Sequence, residues 1–405
     1  VSFNTDIYRN FNTAKIRNIS NSNLLVEPTF DKSFMWSRNF SIKYDLSRSL
    51  KIDFSSNNQS SIDEPYGDID TKEERDIIFD NLLKMGRTVN YNHTLSVNYN
   101  LPINKIPFTD WIIINARYTA NYSWIGAPLS LQTKELNLGN VIQNSSNKQI
   151  NSQFNFVSLY NKIPYLKKLN KQSRPKTSNR NRITENNNPQ DTIKKTFKIM
   201  DNFLRLIFSP KNLSISYISN NGTLLPGYLL NPSLLGMDYN MMKPGLGFVL
   251  GSQKDITPDS LDPKDIPWIS TNTNLNSLYT ETSTESINLR GTIEPIKGFR
   301  IELTGNRNFT KNKQEMFRYD TSYISPSGFY YYNHYNPIES GSFSISYLCF
   351  KTSFLKNDDE YISQVFENFK SNRIIIVERL ADLNPNTNTI DSTGFPLGYG
   401  SAYQE

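Results

Sequence analysis

Hydrophobic and polar positions alternate along much of this chain with a period of two. In residues 39–57, Phe40, Ile42, Tyr44 and Leu46 interleave with Ser41, Lys43 and Asp45. After a three-residue break the pattern resumes as Leu50, Ile52 and Phe54 against Lys51, Asp53 and Ser55. Such alternation marks a β-strand with one apolar and one polar face. The same reading predicts strands at 38–46, 50–58, 89–101, 112–124, 147–157, 211–219, 285–295, 299–309, 340–350 and 371–380. Two three-residue loops, 47–49 and 296–298, predict hairpins in which Lys43 faces Asp53, Asp45 faces Lys51 and Glu294 faces Arg300.

Helical signals are few. Thr71 and Glu74 form a capping box ahead of Ile78 and Leu82, and Gly86 stops the segment, so 71–86 reads as a loop helix. Residues 358–370 read as a short amphipathic helix. Residues 171–192 are polar and lack apolar periodicity, and they read as disordered.

The fold class that follows is all-β. An antiparallel sheet with an apolar core face would be the ordinary form, but three features favour a transmembrane β-barrel wall. The stretches 89–101 and 112–124 alternate for longer than the roughly 5–6 residues of a typical soluble strand. A tilted membrane strand needs about 9–11. Within 39–57, 89–101, 112–124, 286–295 and 299–309 the apolar parity of the strands carries no acid, Lys or Arg until Arg307 near a strand end, and His93 is its one imperfect position. Tyr91, Tyr99, Tyr118, Tyr122 and Trp124 on that parity suggest the aromatic girdles of an outer-membrane barrel. Trp111 stands just outside a strand start, on the other parity.

Lys43, Asp45, Lys51, Asp53, Arg117, Glu294, Arg300 and Glu302 are therefore expected to face a water-filled lumen or the elements that line it. Ile42, Tyr44, Ile52, Tyr118, Leu289 and Ile301 are expected to meet lipid or a membrane partner. Alternating strand directions put both tight turns at one end, which in outer-membrane barrels is the periplasmic one. The insertions 59–88, 125–146, 220–284 and 310–339 fall at the other end, and 158–210 falls with the turns.

Composition then narrows the options. The chain has 405 residues with a mean hydropathy of −0.55, and no apolar run is long enough for a membrane-spanning helix, which leaves membrane strands open. The net charge of +6 is concentrated: between Lys162 and Lys198 eleven Lys/Arg face two acids, so the rest of the chain is net negative. No aromatic residue interrupts 171–192 within that basic insert and no recognition motif accompanies it, so no nucleic-acid partner is expected. It reads as a periplasmic loop or a docking arm for an acidic partner.

One Cys and two His exclude an intrachain disulfide framework and disfavour a thiolate zinc site. His93 and His334 belong to no motif, and the acidic cluster Asp68, Asp70, Glu73 and Glu74 lacks the spacing of a calcium loop. The expectation is no enzyme, no metal and no cofactor. "GLGFVLGS", Gly245 to Ser252, is expected to allow close backbone packing inside the lumen rather than to bind phosphate.

The blocks "PTFDKSFMWSRNFSIKYDLSRSLKIDF", "IDEPYGDIDTKEERD", "LKMGRTVNYN", "LYNKIPYLKKLN", "NNGTLLPGY" and "NPNTNTIDSTGFPLGYG" resemble, in order along nearly the whole chain, the SprA (Sov) family. Its members form the outer-membrane translocon of the type 9 secretion system of Bacteroidetes, a system also tied to gliding motility. The resemblance implies a single-chain barrel of unusual size, the family of the largest known, about 36-stranded barrel. This chain would then be a wall segment of about ten strands within a longer polypeptide. The domains are 1–37 as an N-terminal strand/loop segment, 38–157 as barrel strands, 158–210 as the basic insert, and 211–405 as further strands with long loops.

The implied function is a protein-conducting channel for folded cargo proteins across the cell outer membrane. The implied partners, besides membrane lipid, are secreted cargo, a periplasmic plug protein and a PorV-like barrel. A plugged nutrient-transporter barrel, a soluble adhesin-like β protein and an outer-membrane enzyme are the competing readings.

Overall fold

The computed structural model describes residues 1–16, 27–132, 136–171, 206–254, 256, 268–296, 298–320, 332–347 and 363–382. They divide into two units, Val1–Ile345 and Ser346–Glu405. The first unit is built on one ten-stranded antiparallel sheet whose strands lie in chain order. They are β1 (Ser2–Ala14), β2 (Thr29–Asp45), β3 (Leu50–Ser61), β4 (Arg87–Leu101), β5 (Ile112–Ile125), β6 (Asn140–Asn155), β7 (Pro210–Tyr228), β8 (Tyr279–Ile296), β9 (Phe299–Tyr319) and β10 (Tyr332–Ile345). Among the described residues β1 and β10 are the two edges.

Strand order fixes which connections share an end. The β2–β3, β4–β5, β6–β7 and β8–β9 links lie at one end, called here the turn end. The other five links, including 62–86 and 229–278, lie at the insertion end. The grouping read from the sequence therefore holds.

The first tight turn forms as its residues dictate. Lys43 pairs with Asp53 and Asp45 with Lys51, and Lys51 Nζ lies 3.6 Å from Asp45. The amides of Ser49 and Leu50 donate to Ser47 Oγ at 3.2 and 3.0 Å, the local hydroxyl turn that makes Ser common here.

The second hairpin corrects an expectation. Ile293 pairs with Ile301, but the register shifts before Ile296 meets Phe299, and Glu294 makes no ion pair with Arg300. Pro295 has no amide to give the ladder. The Glu294 carboxylate accepts instead from the Gly298 amide at 3.3 Å and lies 4.0 Å from Lys211, while Arg300 turns to Glu302.

Several elements differ from the sequence reading. Most strands run longer, up to 21 residues in β9, because their insertion-end halves ("TETSTE" in β8, "TKNKQE" in β9) are polar on both parities and carry no hydropathy signal. β1 comes from the segment expected to be strand or loop. Residues 371–380, read as a strand from Ile374–Val377, are helical within Gln364–Asp382 of the second unit. Good helix formers Glu378, Arg379, Leu380 and Ala381 follow the β-branched run. Phe366 and Phe369, one turn apart, stack at 6.3 Å. The helix expected at 358–370 begins at Gln364, and its first residues lie outside the described set, as do 172–192 and Cys349.

The loop helix forms as read, as α1 (Lys72–Leu83). Thr71 Oγ1 accepts from the Glu74 amide, and Glu74 Oε2 accepts from the Thr71 amide at 2.9 Å. Those bonds favour the ionised carboxylate and hold the Glu74 pKa below its ordinary value.

Candidate functional site

Strand pairing assigns every side chain to one of two faces. Lys43, Asp45, Lys51, Asp53, Arg117 and Glu302 share one face with an Asn/Ser/Thr array. The array bonds across strands: Thr94 Oγ1 donates to Asn121 at 2.8 Å, Asn121 to Ser145 at 3.2 Å, and Ser216 to Asn151 at 2.8 Å. Glu294 and Arg300 sit at the hairpin end of that face. This face is mostly polar, interrupted by Ile113, Ile125, Val141, Ile218 and Leu224.

Ile42, Tyr44, Ile52, Tyr118, Leu289 and Ile301 share the opposite face, which divides into two regions. Towards the turn end its apolar side chains stand exposed or half-exposed: Tyr44 is 59% exposed, Leu289 39% and Leu303 38%. Ile114, with Ile112 and Ala116 beside it, is half-buried. Towards the insertion end the same face is covered by residues 229–254 and 268–278.

The boundary between the regions runs obliquely. Pairing aligns Phe54, Leu95, Ala120, Ser146, Asn221, Ser283 and Lys311 in one row from β3 to β9. On β3 and β4 that row lies in the exposed apolar stretch. On β6, β7 and β8 the stretch begins four residues nearer the turn end, at Ile150, Tyr217 and Ile287, and on β9 eight residues nearer, at Leu303. Phe309 and its partner Phe343 on β10 stand above it, beyond Arg307 and its partner Glu285. At about 3.4 Å per residue and about 4.8 Å between strands, this drift tilts the strands roughly 30–45° away from the perpendicular to the boundary.

In the covered region, residues 248–253 cross the sheet as a belt. His93 Nε2 on β4 lies 2.8 Å from the Val249 carbonyl. Tyr118 on β5 donates to the Leu250 carbonyl at 2.5 Å. Asn144 Nδ2 on β6 donates to the carbonyls of Phe248 and Ser252 at 2.9 and 2.8 Å. Thr223 on β7 donates to Gln253 Oε1 at 2.9 Å, and Gln253 Nε2 returns to Asn144 Oδ1 at 3.1 Å.

A non-regular segment laid on a sheet has backbone groups to satisfy, and the sheet supplies polar side chains on the otherwise apolar parity to do it. Gly251, at φ +87°, lies so close that a Cβ there would sit 2.8 Å from Tyr118 Oη and 2.9 Å from Ala120 Cβ. The Gly-spaced stretch thus packs closely, as read, but on the face opposite Lys43 and Arg117.

Under the belt and its flanks lies the buried cluster of Tyr91, Tyr122, Trp124, Met237, Phe248 and Val249, continued by Tyr228, Trp268 and Phe317. Tyr122 donates to the Gly236 carbonyl at 3.1 Å and Trp124 to the Leu230 carbonyl at 3.0 Å. These aromatics, read from the sequence as girdle residues, are held beneath the insertion because it offers both apolar contact and carbonyl acceptors.

His93, the imperfect entry in the alternation, is one of the clasp residues. Asn144 and Thr223 were missed, because an Asn inside "QNSSNKQ" gives no sign of burial. His334 lies with buried Glu315 at 3.1 Å, remote in sequence from His93. Among the described residues no group of three His, Cys, Asp or Glu could hold a metal.

No known protein-family model matches the chain, and no curated protein sequence matches it.

Proposed function

We propose that this sheet is part of the wall of a transmembrane β-barrel in the outer membrane, and that the barrel conducts folded proteins as a type 9 secretion translocon. The observation that carries the membrane part is the oblique exposed apolar band backed by a mostly polar face that carries Lys43, Asp53, Arg117 and Glu302. A planar hydrocarbon slab crossing tilted strands cuts their hydrogen-bonded rows at an angle, and membrane barrels tilt by about 35–45°. The polar face, with Lys43, Asp53, Arg117 and Glu302, is wet: its charges would be expensive in a dry interior. Lipid meets Ile42, Tyr44, Ile52, Leu289 and Ile301. Tyr118, bonded to the belt, marks the edge of the slab.

The secretion part rests on the resemblance to the SprA (Sov) family, and size sharpens it. Ten strands closed on themselves at such a tilt would give a backbone cylinder only ~20 Å across. A folded domain of 100 residues, with a radius of gyration of about 13 Å, is wider than that. Conducting folded cargo therefore requires β1 and β10 to pair with further strands. The channel does no bond chemistry: a wide hydrated lumen spares a polar folded surface the cost of entering lipid. Direction comes from elsewhere, and a periplasmic plug protein and a PorV-like barrel are the partners the resemblance implies.

Fractionation and imaging of the full-length protein test the two parts separately. Recovery in salt-washed outer membranes and a lumen wide enough for a folded domain are expected. Loss from the washed membranes would favour a soluble adhesin-like protein, and a narrow plugged lumen a nutrient transporter.

A further inference from the structure

At the turn end of β5–β7 the last apolar row is Ile112, Phe154 and Leu213. Beyond it an aromatic chain continues outward. Trp111 precedes the strand, and its ring contacts Phe154 and Phe156 at 6.0 and 5.4 Å. Phe156 opens the short helix α2 (Phe156–Tyr160), stacks on Tyr160 at 6.2 Å, and Tyr160 meets Phe208 edge-on at 5.0 Å. The two stems of the basic insert are thereby joined. α3 (Pro164–Lys171) follows, with Leu166 buried.

Around this chain Ile106, Phe108, Ile163, Tyr165, Leu206 and Ile207 are exposed, Phe108 at 74%. Cations rim them. Lys105 and Lys167 are exposed. Lys162 pairs with Asp110 and lies 5.4 Å over the Phe108 ring, and Lys211 lies 4.0 Å from Glu294.

Exposed aromatics and aliphatics rimmed by lysines, continuous with a band of apolar strand residues, have the chemistry of a membrane-interface element. We propose that this lip, formed by residues 103–111, 156–167 and 206–209, is an anchor for the headgroup region of anionic phospholipid. It rests on the membrane reading of the band but goes beyond it, because these residues lie outside the strands. The apolar side chains enter the upper acyl region while Lys105 and Lys167 meet phosphate. Juxtamembrane cations are drawn to an anionic membrane surface.

The test uses the full-length protein in lipid nanodiscs, with Cys349→Ser as background and a fluorophore on Ile207→Cys, on Phe108→Cys, or on Ile114→Cys in the band. Brominated phospholipids act as depth-resolved quenchers. The expected result is quenching at 207 and 108 by bromines near the headgroup, stronger with phosphatidylglycerol than with phosphatidylcholine, and quenching at 114 by deeper bromines. Lys105→Gln with Lys167→Gln should abolish the preference for phosphatidylglycerol.

Quenching at 114 without quenching at 207 or 108 would overturn the anchor and leave the membrane reading standing. Silence at all three would overturn that reading itself. Equal quenching by the two lipids would overturn the role of the lysines. Protection of position 207 only on adding a purified protein partner would identify the lip as a protein-docking surface and overturn the proposal.

Discussion

One face of one sheet presents two regions, and the difference lies in who supplies the contacts. Near the turn end the face is Ile, Leu, Val and Tyr with almost no polar atom to satisfy, and the described chain leaves it open. Near the insertion end it carries His93, Asn144 and Thr223 among aromatics, and the chain folds its own residues 229–254 and 268–278 over it. A hydrocarbon surface asks nothing of a strand but apolar side chains. A protein cover of irregular backbone demands hydrogen-bond partners. The residue types on the two regions therefore report different covers, lipid in our proposal for one and protein for the other.

Substitutions should separate the regions. The largest effect is expected from charge in the open region. Tyr44→Lys or Leu289→Lys places a cation against hydrocarbon at roughly 2–4 kcal/mol if deep in the bilayer. The full-length protein should disappear from the washed outer-membrane fraction, whereas Ser41→Lys on the polar face should leave it there. Normal insertion of both apolar-face variants would break the comparison.

Next comes the clasp. Asn144→Leu strands the carbonyls of Phe248 and Ser252, each unsatisfied buried group costing about 1–3 kcal/mol. Membrane insertion should be unchanged, while limited proteolysis should cut within 229–254 much faster. Gly251→Val should act in the same way, through overlap with Tyr118 and Ala120. His93→Phe keeps a ring but loses the bond to Val249, and a smaller rise in cleavage, from about 1 kcal/mol, is expected.

The smallest effect belongs to neither region. Glu74 in the α1 capping box has a lowered pKa in the folded chain. Its contribution is fully present above the ordinary carboxylate value and is lost as pH falls through the lowered one. Amide-exchange protection factors in α1, taken relative to the intrinsic rate at each pH, should fall on acidification, and Glu74→Gln should weaken that dependence.

The open region was legible in the sequence because lipid-type contacts leave a periodic signal: Ile42, Tyr44, Ile52 and Leu289 alternate with polar residues over long stretches. The first hairpin register was legible as well, since Lys43–Asp53 and Asp45–Lys51 meet as charge pairs. The covered region was legible only on β4 and β5, where Tyr91, Tyr122 and Trp124 keep the alternation. On β6 and β8 stretches of the insertion-end halves are polar on both parities, so these strands were read too short and Asn144 passed as an ordinary surface residue. His93 was the one visible clue, a polar ring in an apolar series. Pro295 spoiled the Glu294–Arg300 pairing through a bulge that charge patterning alone does not encode, and Ile374–Val377 imitated a strand inside a helix.

Cysteine accessibility in outer-membrane fragments open on both sides tests the sidedness most directly. With Cys349→Ser as background, a charged, lipid-insoluble maleimide should label Arg117→Cys readily and leave Ile114→Cys, three residues away on the opposite face, unlabelled until detergent is added. Labelling of position 114 with protection of position 117 would contradict the account.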